Sequence, residues 1–139
     1  MKTTSKLAVA LIAAAGVGAG ASALAADQMG VSKNEIVIGT IQDLSGPLAG
    51  FGKALRLGMQ MRVDEINDQG GINGRKVKFI AEDSGYDPKK GLLAAQKMVQ
   101  QDKIFAMVGT IGTAVNLATF PTLFDKNVMN LFPLTAARE

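Results

Sequence analysis

The chain has 139 residues, 47% hydrophobic and 19% charged, with 16 Gly and 4 Pro, which is globular composition rather than disordered or collagenous. Its net charge is +3, but Lys2 and Lys6 lie in an N-terminal leader, and the residues after Ala25 carry 13 basic against 12 acidic groups, so no basic face for nucleic acid is expected. His and Cys are both absent, which excludes a Ser–His–Asp triad, a His general base, thiol catalysis, imidazole- or thiolate-bound metal and disulfides.

Met1–Lys6 is a short basic start and Leu7–Leu24 carries no charge. Ala23-Leu24-Ala25 then offers small residues where a signal peptidase reads, so residues 1–25 read as a cleavable secretory signal peptide. The competing reading is a membrane anchor. The apolar stretch reaches only the lower limit of span length, and its Gly and Ala content argues against it. With no Cys at the cleavage point for a lipid, free release into a periplasm is expected. Gly16-Val17-Gly18-Ala19-Gly20 has the wrong spacing and context for a nucleotide loop.

Glu35 to Ile41 is a β-branched apolar run of strand length. A turn cluster, Asp43 to Pro47, separates it from an amphipathic helix over Gly50–Gln69, whose inner positions are Leu55, Met59, Arg62/Val63 and Ile66. Gly70-Gly71 ends that helix, and Ile72–Arg75 turns into a strand over Lys76–Glu82. Asp87-Pro88 opens a second helix, Asp87 as cap and Pro88 at the first helical position. Its inner stripe is expected at Leu92, Ala95, Gln96 and Val99. Ile104–Val108 is the third strand. A third helix, about Thr113 to Asp125, contains Pro121, which predicts a kink or a split. Val128–Phe132 is the fourth strand. No internal repeat follows the leader. The β-α-β-α-β-α-β order predicts an α/β, doubly wound parallel sheet covered by helices on both faces.

In such a sheet ligands bind beyond the carboxyl ends of the strands. Three loops are expected there: Gln42–Gly52, Gly109–Ala114 and Pro133–Ala136. Thr113 stands at a helix start, where its hydroxyl and the adjoining backbone N–H groups, Ala114 included, face any anion such as a carboxylate. Thr110 and Thr113 equally suit simple capping. Asp43 and Ser45 beside a Gly-Pro turn read as turn formers rather than catalysts. Asp64, Glu65 and Asp68 read as a solvated face, without the spacing of a calcium loop. Met59, Met61 and Met98 read as core filler. No cofactor and no metal is expected.

Several stretches in this order resemble the periplasmic solute-binding proteins of the leucine/isoleucine/valine-binding family, including relatives that take amides and urea. They are Ile38-Gly39 leading to Leu44-Ser45-Gly46-Pro47, Asp64 to Gly74 with its Gly70-Gly71-Ile72-Asn73-Gly74, Asp83 with Asp87-Pro88, Ala94 to Val99, and Val108-Gly109 before a Thr-rich loop. The resemblance runs from Glu35 to the end. It implies the type I periplasmic binding fold, with residues 26–139 as part of an N-terminal lobe. It also implies a monomeric, non-enzymatic protein that closes on a small ligand and delivers it to an inner-membrane ABC permease. A ligand-sensing receptor or regulatory domain on the same fold is the alternative. Carried over, Thr113 holds the ligand's carboxylate, Phe51 is an aromatic at the cleft mouth, and the Leu134 carbonyl receives an ammonium. Ala136, beside Thr135, falls where amino-acid binders have a hydroxyl. The expected ligand-binding set is therefore Ser45, Phe51, Thr110, Thr113, Ala114, Leu134, Thr135 and Ala136. The departure at Ala136 argues against a branched-chain amino acid and leaves amides, urea-like compounds or other small acids open, because an unpaired ligand group costs about 1–3 kcal/mol. Tyr86 and Gly112 fall where some relatives have paired Cys. The 114 residues after the leader make less than one full lobe of that family, so a fragment with an exposed apolar edge strand is expected.

Overall fold

The computed structural model describes residues 28–137. The signal peptide expected over residues 1–25 lies outside them. The elements are β1 (Glu35–Gln42), α1 (Ala49–Asp68), β2 (Lys76–Asp83), α2 (Pro88–Lys97), β3 (Ala106–Val108), α3 (Thr113–Phe124) and β4 (Met129–Leu131). All pairings within the sheet are parallel and the strand order is β2-β1-β3-β4. The expected doubly wound class is therefore what forms. Among the described residues, no helix is long and apolar enough to cross a membrane.

β1 pairs with β2 in register over eight residues, from Glu35 opposite Lys76 to Gln42 opposite Asp83. β2 is an edge strand, and its exposed Lys76, Lys78 and Asp83 fit that place. On the other side β1 meets β3 through Ile38–Ala106 and Gly39–Met107. Because the order steps one way from β1 to β2 and the other way to β3 and β4, α1 lies on one face while α2 and α3 share the opposite face.

The shared face forms the core. Val37 and Ile41 of β1 meet Ala94, Ala95, Met98 and Val99, with Ile104, Met107, Val115, Leu123 and Val128. Ile41, Met98, Ile104, Met107 and Leu123 are completely buried, each contributing about 1.5–3 kcal/mol by leaving water. Gly39 lies between them because a Cβ there would come within 2.8 Å of the Met98 sulfur. A central glycine thus allows α2 to press onto β1. The inner stripe of α2 falls at Gly91, Ala94 and Ala95 and continues through Met98 and Val99. The expected stripe at Leu92 and Gln96 was one position off, since both are only half-buried. Past Lys97 the helix widens into one π turn over Met98–Asp102, closed by Lys103 in a left-handed conformation.

The other face corrects an expectation. α1 packs on β1 and β2, and nothing among the described residues covers β3 and β4 there. An apolar hollow of about 900 Å³ remains, lined by Leu55, Met59, Ile38, Ala106, Val108 and Leu131 among others. The cause is topological: two of the three crossovers run over the opposite face. Met61, expected in the core, is 64% exposed on α1. β4 forms the far edge with Met129 half-exposed. Two strands are shorter than their apolar runs suggested, because Ile104, Phe105, Val128 and Phe132 lie outside the ladder. Pro121 neither splits nor ends α3; it forgoes only the bond to the carbonyl of Leu117, which is half-exposed.

Candidate functional site

The strand order reverses between β1 and β3, and the loops at the carboxyl edge of the sheet gather there. Such a point opens a crevice in an α/β sheet. Four loops border it. The β1–α1 loop is shaped by Asp43, whose buried carboxyl accepts from the Gly46 N–H and the Leu48 N–H, each at 2.6 Å. Asp43 is thus the turn former that its sequence context indicated. Gly52, in the first turn of α1, lies against the Asp43 backbone: a Cβ there would sit 1.9 Å from the Asp43 carbonyl oxygen.

The β2–α2 loop, absent from the expected three, is tied to the first one. Asp83 accepts from the Ser45 hydroxyl at 2.6 Å and from the Leu44 and Gly85 N–H groups, both at 2.8 Å. Ser45 is exposed, but its proton is committed to Asp83. Partial burial pulls the Asp83 carboxyl up. The Ser45, Leu44 and Gly85 hydrogen bonds, helped by the Lys90 cation, outweigh that and leave its pKa below the ordinary 3.8. A carboxyl lowered on folding stabilises the fold fully above its unfolded value and loses that contribution as pH falls through the folded value. The Asp83→Asn variant is therefore expected to be less stable than the wild type at pH 6, with the difference shrinking below about pH 4. Parallel melting profiles from pH 6 to pH 3 would count against the Asp83 tie.

The β3–α3 loop and the segment after β4 form the centre of the site. Ile111 bridges Leu134 in parallel fashion, the Leu134 N–H donates to the Thr110 carbonyl at 2.9 Å, and the Gly112 N–H donates to the Leu134 carbonyl at 3.0 Å. Thr110, Thr113, Ala114 and Leu134 are thereby brought together, with Thr135 and Ala136 exposed immediately after. Thr110 itself is buried and its hydroxyl has no partner among the described residues, so it lies beneath the surface that Thr113 and Ala114 present. The Leu134 carbonyl already accepts the Gly112 N–H, leaving one lone pair. Phe51 is not part of this group: it is 69% exposed at the start of α1 and lines the apolar hollow.

α3 begins without a side-chain cap. Its N-cap is Gly112, at φ +101°, where a residue with a Cβ is strained. That Cβ would also come within 2.8 Å of the Tyr86 ring, so Tyr86 and Gly112 are neighbours. Among the described residues, no group accepts from the N–H groups of Thr113, Ala114 or Val115. The capping role that suited Thr110 and Thr113 is therefore not the one they take. The helix start has free donors and the positive end of its dipole, half-exposed at Thr113 and open at Ala114.

A parallel sheet of order β2-β1-β3-β4 whose loops gather at the switch point is an open α/β architecture. Residues 35–139 match the model of a family described as periplasmic binding protein, and the chain belongs to that family. It is 38% identical over 103 residues to the Leu/Ile/Val-binding protein BraC3 of Rhizobium johnstonii, an alignment covering 74% of this chain and 28% of the relative. To the Leu/Ile/Val-binding protein of Escherichia coli it is 29% identical, over 87% of this chain and 32% of the relative. Among solved structures, the branched-chain amino acid transporter substrate-binding protein LivJ of Streptococcus pneumoniae, in complex with isoleucine, matches with a TM-score of 0.72 at 28% identity. That match covers 76% of this chain and 30% of the other. A fatty acid ABC transporter substrate-binding protein from Thermomonospora curvata matches with a TM-score of 0.67 at 26% identity, over 78% and 27% of the two chains. The chain thus spans less than a third of the length of these relatives.

Proposed function

We propose that this chain supplies one wall of the ligand cleft in the solute-binding component of an ABC importer. In that reading the leader sends the protein to the periplasm. There it captures a small amino acid or amide-like solute as a monomer, without catalysing a reaction, for delivery to an inner-membrane permease. The observation that carries the reading is the uncapped start of α3, where the Thr113 and Ala114 N–H groups have no acceptor among the described residues and both residues reach the surface, near the exposed Thr135 and Ala136. Such a constellation suits a carboxylate or an amide carbonyl, which accept hydrogen bonds and carry negative charge. The names of the relatives support an amino-acid-sized ligand. Ala136 argues for a ligand that does not require a hydroxyl at that point, which favours amides and urea-like compounds beside amino acids.

The test is ligand-dependent thermal stabilisation of the protein carrying this chain, with whatever follows Glu139 in its reading frame, across amino acids, simple amides and urea. At least one solute is expected to raise Tm, since ligand at 100 times Kd contributes about 2.7 kcal/mol. Thr113→Ala is expected to weaken that solute about tenfold or more, because a hydrogen bond to a charged group contributes about 1.5–3 kcal/mol and 1.4 kcal/mol is tenfold. Turnover of a solute without stabilisation by any would overturn the reading.

A further inference from the structure

We propose that Asn116 is a positioning residue for the ligand at the start of α3, an inference that rests on the solute-binding reading above. Asn116 is 1% exposed on the buried side of α3, beside Val115 and with Thr119 and Leu123 following on that side. A buried amide is costly unless every group is bonded. Its Nδ2 donates to the Thr110 carbonyl at 3.0 Å and to the Gly112 carbonyl at 2.8 Å. Its Oδ1 accepts from the Asn130 amide of β4 at 2.9 Å. The side chain therefore joins the β3–α3 loop to β4 from below.

The consequence for the site follows from the planarity of the trans peptide. The C=O of Gly112 and the N–H of Thr113 belong to one peptide unit and point in opposite directions. Holding the Gly112 oxygen inward, on both the side chain and the backbone N–H of Asn116, aims the Thr113 N–H outward. Two carbonyl oxygens that would repel an anion are thereby withdrawn from the ligand surface. Thr113 and its neighbours then act as a fixed set of donors that needs no rearrangement when ligand arrives, which is how preorganisation raises affinity.

The experiment measures Kd at 25 °C for the solute of the panel above (amino acids such as L-leucine, simple amides such as acetamide, and urea) that most stabilises the wild-type protein. Asn116→Asp replaces the two donors by an oxygen facing two carbonyls and is expected to raise Kd at least tenfold. Asn130→Ala leaves the loop untouched and removes only the far support of Asn116; it is expected to raise Kd about threefold. If the Asn116→Asp protein does not fold, Asn130→Ala decides alone. A lowered Tm with an unchanged Kd means that the amide only supports the fold, and overturns the proposal. A wild-type protein stabilised by no amino acid, simple amide or urea overturns the solute-binding reading and this inference with it, a failure visible before any substitution is made.

Discussion

Gly52→Ala should destabilise the protein by about 3 kcal/mol, at the upper end of the usual cost of overpacking, and lower Tm by on the order of 10–20 °C. The added methyl would lie 1.9 Å from the carbonyl oxygen of Asp43. That atom is backbone at the end of β1, so relief requires α1 to lift from the sheet. Gly58, in the same helix, has no atom within 4 Å of its would-be Cβ. Gly58→Ala should therefore stabilise by about 0.5–1 kcal/mol through helix propensity alone. Thermal unfolding of the two variants side by side separates close approach from propensity. Equal shifts in the same direction would show that Gly52 is not a contact point.

The second large effect is expected at Asp43. Asp43→Ala leaves the Gly46 and Leu48 N–H groups without the carboxyl oxygens they meet at 2.6 Å. Each unpaired buried donor costs about 1–3 kcal/mol, so the loss should be about 3 kcal/mol. Asp43→Asn keeps one accepting oxygen and should lose roughly half as much. Denaturant unfolding gives both values. An Asp43→Ala protein within about 0.5 kcal/mol of wild type would mean that the loop holds its shape without this carboxyl. A role in chemistry would instead leave stability unchanged.

How much of this was readable in the sequence depends on the range of the forces involved. β1, α1 and β2 emerge within a residue or two because their periodicity is long and the caps, such as Asp87-Pro88, act locally. β3 and β4 were read too long. Apolar runs mark burial, and Ile104 and Val128 are buried without joining the ladder. The uncovered stretch of the α1 face was not readable, because it follows from the side on which each crossover returns, not from any residue's type. At the candidate site, the start of α3 at Thr113 was legible because a helix start is a local signal. The role of Asp83 across two loops was missed, and so was Asn116. Its only sequence signature is an amide between Val115 and Leu117 in an otherwise apolar helix, and its partners come from another loop and another strand.

The register of the sheet also sets an order of assembly. β3 and β4 pair across the short α3 connection, and β1 and β2 across α1. The β1–β3 seam joins Ile38 to Ala106, the longest closure in the sheet, and closure entropy rises with the length of chain enclosed. That seam is therefore expected to close last. The Ile111 N–H completes it by donating to the Ile41 carbonyl at 3.1 Å, and this bond anchors the loop that precedes α3. A partly folded chain with both outer β-α-β units formed still lacks the anchored loop before α3. Under the solute-binding proposal, capacity to bind would come only with the final seam, and ligand binding would double as a readout of complete folding.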